Sequence, residues 1–204
     1  MRRHLLLLLP LALAAACATS TAAQGRHAAT EAADFTLRTI DGTTFTLSEH
    51  LGKKVLVLDF WATWCVPCLA AMPHLQAMSE RYRDELLVIG ISMDGPETVA
   101  QVGPTAATRG VRFPILLDEE TRAVSVYNPH RSAPYTVLIG KDGRVASARE
   151  GYNSGDEVML EKAVQELIAK AAQPPPAAAP QQLQEQQPSP GEAPASVPAA
   201  SSAP

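Results

Sequence analysis

Cys65 and Cys68, separated by Val66 and Pro67, form a Cys-X-X-Cys pair. Two thiols at this spacing can make and break a disulfide with each other, which is two-electron exchange chemistry. Two plainer uses of the pair compete with it. A zinc half-site needs two more ligands at short spacing, and His50, His74 and His130 are isolated. A structural disulfide closing so short a loop removes little chain entropy. The redox-active dithiol is the favoured reading, and a metal site is not expected.

The flanks say what positions the pair. An apolar run from Val55 to Phe60 leads in, and a helical pattern with Met72, Leu75, Ala77 and Met78 leads out. The cysteines therefore stand where a buried strand turns into a helix. The first amides of a helix lack partners and carry positive potential. Aimed at Cys65 they favour thiolate, and a thiol with a pKa near ~8.5 can fall to ~7 or below. Cys65 is expected to be the exposed, low-pKa thiol and Cys68, one turn in, the buried one. Cys-X-X-Cys at a strand–helix junction reads as a thioredoxin-like redox motif.

Elsewhere the chain offers little chemistry. Its net charge of −4 comes without a basic stripe, so no nucleic-acid partner is expected. It has no glycine-rich phosphate loop and no histidine–carboxylate metal cluster. All aromatic residues lie between Phe35 and Tyr152, which confines a large core to that window.

The N-terminus reads as an export signal over residues 1–23. Met1-Arg2-Arg3-His4 is basic, and Leu5 to Ala16 is apolar but too short to span a bilayer. Cys17 follows Ala14-Ala15-Ala16 and resembles a lipoprotein cleavage site, although leucine is more usual where Ala14 stands. Cleavage after Ala23 is the alternative. Either way Cys17 is lipidated or removed, leaving one cysteine pair, and an exported protein with only a Cys-X-X-Cys uses it for exchange. Residues 24–33 read as a polar tether and 173–204 as a disordered Pro/Ala/Gln-rich tail, either passive or a spacer.

Within 34–172, Phe35–Thr39 and Thr44–Leu47 alternate around Asp41-Gly42, a hairpin signal. Ser48 is the expected N-cap of a short helical turn stopped by Gly52. Val55–Leu58 fits a central parallel strand covered on both faces. Leu69–Tyr82 continues the active-site helix, which Pro73 should kink. Leu86–Ser92 is a strand, and Asp94-Gly95-Pro96 breaks the chain. Glu97–Arg109 is a weak helix interrupted at Gly103-Pro104. Ile115–Leu117 and Glu119–Tyr127 form a strand–helix pair. Tyr135–Ile139 and Val145–Ala148 form a second hairpin, and Asp156–Ala172 is the last helix, with Leu160, Ala163, Val164, Leu167 and Ile168 on one face.

The run Phe60-Trp61-Ala62-Thr63-Trp64-Cys65-Val66-Pro67-Cys68 resembles the thioredoxin superfamily, and most closely the TlpA/ResA group of extracytoplasmic thiol–disulfide oxidoreductases. The resemblance extends over roughly Asp34 to Ala172. It implies an α/β thioredoxin fold, a central mixed sheet flanked by helices, with an N-terminal β-hairpin and an inserted strand–helix unit. It implies that Cys65 attacks and Cys68 resolves, with no bound cofactor. Val66 and Pro67 tune the potential, and by resemblance to thioredoxin a proline there points to a reducing centre. Partners would be exported proteins bearing disulfides or dithiols, plus an upstream electron donor, with a membrane association through the lipid of Cys17. The resemblance also suggests that Trp61 packs inside and Trp64 shields the disulfide, although Trp64 could equally be plain core. Ala133-Pro134-Tyr135-Thr136 matches the family's cis-proline position, against an ordinary trans proline at the start of a strand. A cis bond there would free the Ala133 backbone to pair with an extended substrate.

Two other functions share some of these features. Peroxiredoxins share the fold, but their cysteine usually follows a Pro-X-X-X-Thr run that Asp59 to Trp64 lacks. Cys65, Cys68 and Met72 are soft ligands that could hold copper(I). The chain also departs from its apparent relatives. They commonly carry a glutamate three residues after the second cysteine, where Ala71 stands here. Thioredoxin carries an aspartate six residues before the first cysteine, and here that residue is Asp59. Inside an apolar run its carboxylate should be desolvated and its pKa raised. Asp59 is either the general base for Cys68 or a structurally satisfied buried acid.

Overall fold

Seven consecutive buried residues form strand β3, Val55–Trp61, in a computed structural model that describes residues 30–173. Side chains alternate across a strand, so β3 feeds two cores. Val55, Val57 and Trp61 enter one, and Leu56, Leu58 and Phe60 enter the other. Burial on both faces explains why the sequence here lacks polar alternation.

The sheet is mixed and has seven strands in the order β2-β1-β5-β4-β3-β6-β7. β3 runs parallel to β4 (Leu86–Ser92) on one side and antiparallel to β6 (Tyr135–Ile139) on the other. The expected parallel environment thus holds on the β4 side alone. Helix α1 (Val66–Arg81) follows β3, and its helical assignment is unbroken across Pro73. Helix α4 (Asp156–Ala172) sits with α1 over the first core. It buries Val164 and packs Leu160, Ala163, Leu167 and Ile168 against it.

The other face is closed by the N-terminal hairpin and the inserted unit. β1 (Thr36–Thr39) and β2 (Thr44–Thr46) pair antiparallel around Asp41-Gly42, where Gly42 takes φ +86°, a conformation that favours glycine. β5 (Ile115–Leu117) joins β1 to β4, and α3 (Arg122–Tyr127) contributes Ala123, Val124 and Tyr127 to the core. The helix begins later than the expected Glu119. The buried Asp118 carboxylate accepts from the amides of Arg122 (2.7 Å) and Val124 (2.8 Å) and sets the start there.

Three local expectations are corrected. Ser48 is not an N-cap: it lies inside a 3₁₀ turn (Leu47–Glu49) that follows Thr46, and its hydroxyl donates to Asp34 instead (2.8 Å). Gly103 and Pro104 do not interrupt a helix. They occupy the first turn of α2 (Val102–Thr108), where proline is tolerated because those amides have no helical partner. Thr30 to Ala33, expected at the end of a tether, are tied to the second hairpin. The Thr30 carbonyl accepts from Val145 (2.9 Å), and the Ala32 amide donates to Gly143 (2.9 Å), at the start of β7 (Val145–Glu150). Cys17 with its export signal, and the tail from 174 onward, lie outside the described residues.

Gly90 in β4 shows how tightly the strand beneath the site is packed. A Cβ there would lie 2.6 Å from Ile115 Cδ1 and 3.2 Å from Trp61 Nε1. Gly90→Ala is expected to lower stability by about 1–3 kcal/mol through overpacking, measured by urea unfolding. Wild-type stability would show that Ile115 moves aside freely.

Candidate active site

The Cys65 residue ends the loop after β3 and is the N-cap of α1. Its backbone is extended (φ −87°, ψ 93°), and its sulfur accepts from the Cys68 amide at 3.3 Å. Pro67 has no amide to offer, so within this turn the Cys68 N–H is the donor that reaches the sulfur. This contact and the helix dipole both stabilise negative charge on Cys65 once the pair is reduced. The two cysteines form a disulfide, with Cα atoms 5.3 Å apart.

One expectation about this pair is corrected. Cys65 is not exposed: it is 4% accessible, and Cys68 is 0%. Both belong to the core cluster containing Trp61, Ala62 and Met72. The exposed groups are their neighbours, Trp64 at 64% and Val66 at 76%. The core reading of Trp64 is thereby excluded, whereas Trp61 is fully buried. Trp64 and Val66 stand as exposed apolar groups on either side of Cys65 in the chain.

The Ala133–Pro134 peptide is cis and precedes β6. Ala133 packs against the cluster that holds both cysteines. Sequence reasoning missed what holds this loop. Asn128 is fully buried. Its Nδ2 donates to the Ser132 carbonyl (2.7 Å), and its Oδ1 accepts from the Ser132 amide (3.0 Å). Asp94, read from sequence as part of a chain break, is also buried. It accepts from the Thr63 amide (3.0 Å), the Thr63 hydroxyl (2.5 Å) and the Ser92 hydroxyl (2.9 Å). A polar residue beside a glycine or proline reads as a turn, and nothing local marks a partner 31 positions away.

Asp59 takes its place in the β3 row that otherwise carries Val55, Val57 and Trp61. It is 2% accessible. Its Oδ1 accepts a 3.3 Å hydrogen bond from the Thr136 hydroxyl, and its Oδ2 is buried with no hydrogen-bond partner. Burial pushes its pKa from 3.8 up to about 7, and the Thr136 bond lowers it only in part. Asp59 thus has one oxygen bonded to Thr136 and one without a partner among the described residues. It lines a cavity of about 510 Å³ between α1, α4 and the β6–β7 hairpin, with Ala71, Leu75, Pro134, Thr136 and Leu160. Ala71 lies one turn after Cys68 on α1. Ala71, where the resemblance implies a glutamate, thus lines the same cavity as Asp59. Exposed His74 and Arg149 also line it, so it connects to solvent.

A disulfide at the N-terminus of the helix after the central strand, facing a cis-proline loop, defines a thioredoxin-like protein. The AhpC/TSA family model matches residues 28–148, and the chain belongs to that family. It is 34% identical over 122 residues to the thioredoxin-like protein YneN of Bacillus subtilis, covering 59% of this chain and 70% of that protein. It is 30% identical over 128 residues to the thiol-disulfide oxidoreductase ResA of Bacillus cereus, covering 63% and 72%. A solved structure from Chlorobium tepidum, assigned as a thiol:disulfide interchange protein DsbE, superposes with a TM-score of 0.63. It is 26% identical and covers 69% of this chain and 96% of that one. The chain is a thiol–disulfide oxidoreductase with the thioredoxin-like fold.

The raised Asp59 pKa fixes a pH signature. Between about pH 4 and 7 the folded state keeps a proton that the unfolded chain has lost. Stability therefore falls as pH rises through this window and levels off above it. The gap between 3.8 and about 7 bounds the loss at about 4 kcal/mol. Asp59→Asn should lack this slope, so its stability relative to wild type should rise from pH 4 to 7 in chemical denaturation. Parallel curves would show that Asp59 is ionised in the fold.

Proposed function

We propose that the chain reduces disulfides of exported proteins on the outer side of the cytoplasmic membrane. The observation that carries the reading is the cysteine pair itself, with Cys65 at the helix N-cap receiving the Cys68 amide. In the reduced protein the Cys65 thiolate attacks a partner disulfide. A Cys65–partner disulfide forms, and one partner sulfur leaves as thiolate. Cys68 then loses its proton, attacks the Cys65 sulfur and closes the Cys65–Cys68 disulfide, releasing the second partner thiolate. Two electrons pass to the partner, and the oxidised pair is the end state of that turnover. An upstream dithiol donor returns the electrons.

Asp59 is the proton acceptor for Cys68 in this reading. A pKa near about 7 suits a base that works near neutral pH, and the wall it shares with Ala71 supports the exchange of one carboxylate position for another. Trp64, Val66 and Pro67 would meet the partner around Cys65. The Ala133 backbone before cis Pro134 would pair with its extended segment. Reduction as the net direction rests on the proline between the cysteines and its likeness to thioredoxin.

Location rests on the basic and apolar N-terminal residues and on the absence of any cysteine besides the pair and Cys17. Lipidation of Cys17 would tether the domain to the membrane. Palmitate labelling in a bacterial host should be lost in Cys17→Ser, and equal labelling would reject the anchor.

The function is tested by single-turnover mixing of reduced protein with a disulfide-bearing protein substrate. Cys68→Ser should stop at the mixed disulfide. Asp59→Asn should form it at a near-normal rate but resolve it about tenfold or more slowly, and should lose the rise in resolution rate between pH 6 and 8. Resolution by Asp59→Asn at the wild-type rate across that range would remove Asp59 from the mechanism. Peroxide consumption outpacing disulfide reduction, or tight anaerobic copper(I) binding by the reduced pair, would replace the reductase reading.

A further inference from the structure

Asp94 lies at the end of β4, outside every motif that marks the redox site, yet it is bonded to the loop that carries Cys65. Its Oδ2 accepts from the Thr63 amide (3.0 Å) and from the Ser92 hydroxyl (2.9 Å), and its Oδ1 accepts from the Thr63 hydroxyl (2.5 Å). The Asp94 amide donates back to Ser92 Oγ (3.1 Å), and the neighbouring Met93 amide donates to the Trp61 carbonyl (2.8 Å). Asp94 is 1% accessible and Ser92 0%, while Thr63 is half-buried.

The same short loop is closed on its other side by the Cys65 amide, which donates to the Ala62 carbonyl (3.0 Å). The Trp61 carbonyl and the Thr63 amide are thus held by the end of β4, and the Ala62 carbonyl and Cys65 amide by the loop's own turn. A buried carboxylate is costly unless its lone pairs are used. This one is used by both hydrogen-bond donors of Thr63, two residues before the cysteine. Charge-assisted hydrogen bonds to both donors of one residue hold that residue in place, and the Ser92 hydroxyl anchors the same carboxylate to β4.

We infer that Asp94 is a positioning residue for the redox centre. Its double hydrogen bond to Thr63 holds the Thr63–Trp64 turn so that the Cys65 sulfur stays over the first amides of α1, where the Cys68 N–H reaches it. The bond geometry does this, not the negative charge. The inference rests on Cys65 being the attacking thiol, as proposed above. It goes beyond that assignment by naming a residue from another strand that sets the reactivity of Cys65.

Substitutions at Asp94 separate geometry from charge. Asparagine can keep the arrangement: its oxygen takes the Thr63 amide and Ser92 hydroxyl, while its amide donates to the Thr63 hydroxyl oxygen, which can serve as an acceptor. Alanine removes every one of these bonds. The readout is the pH dependence of alkylation of the reduced full-length protein, with each labelled cysteine identified by mass spectrometry, together with the reduction potential against glutathione.

In Asp94→Ala, the Cys65 labelling midpoint should rise by about one pH unit, and attack on a disulfide substrate at neutral pH should slow about tenfold. Asp94→Asn should restore both to within about twofold of wild type, the precision with which such hydrogen-bond exchanges balance. Thr63→Val, isosteric but without the hydroxyl, keeps the amide bond and should shift the midpoint in the same direction by less. This variant decides the matter if Asp94→Ala does not fold.

Unchanged Cys65 midpoints in folded Asp94→Ala or in Thr63→Val would overturn the inference. So would an Asp94→Asn shift as large as that of alanine, because charge would then be the cause. Labelling of Cys68 ahead of Cys65 in the wild-type protein would overturn the attacking-thiol assignment beneath it, and that is read before any variant is made.

Discussion

The structure depends on the junction at which β3 becomes α1. A seven-residue buried strand can end at a fixed depth only if the next element takes over its backbone groups at once. Cys65 does so as the N-cap, accepting the Cys68 amide on its sulfur. The cap contact that starts the helix is also the contact that would stabilise the thiolate. Structural stability and redox chemistry are therefore coupled at one atom. Elements far away in sequence serve this junction: β4 lies parallel to β3 through seven residue pairs, and its end holds the loop before the cysteine.

Burial of both cysteines changes how the site is to be understood. An exposed thiol reacts with whatever reaches it, whereas a cysteine that is 4% accessible is shielded by its neighbours. Trp64 and Val66 stand out from the surface on either side of Cys65, and the Ala133–Pro134 loop packs on the same cluster. An extended partner segment laid across the pair, as proposed above, would meet these groups. The two loops are tied by buried side chains, Asp94 to Thr63 and Asn128 to Ser132. The gap between loops determines what fits, and main-chain contacts alone leave loops mobile.

Asp59 sets the opposite constraint. Strand alternation places its carboxylate in a row of apolar side chains, and the Thr136 hydroxyl bonds only one of its oxygens. Desolvation leaves it proton-bound up to about pH 7. A carboxyl held this way destabilises the fold whenever it ionises, and a chain selected for stability alone would carry an aliphatic residue there. The cavity beside it has Ala71 on its wall and reaches solvent past His74 and Arg149.

Much of this was legible in the sequence because it is local. The unbroken apolar run Val55–Leu58, the helical period in Asp156–Ala172, the Asp41-Gly42 turn and the Cys-X-X-Cys spacing each depend on neighbours a few positions apart. The resemblance then carried the mixed sheet with its inserted strand–helix unit and the cis Ala133–Pro134 bond. Tertiary structure alone decided the rest. Whether Cys65 is exposed depends on which side chains close over it. Whether the second oxygen of Asp59 finds a partner depends on what β6 and α4 bring to it. Asp94 and Asn128 look like turn residues in the sequence because their Asx character is local. Their roles as clamps exist only once β4 and the α3 loop fold against the redox loops, since a hydrogen bond's partner is set by distance in space and not along the chain.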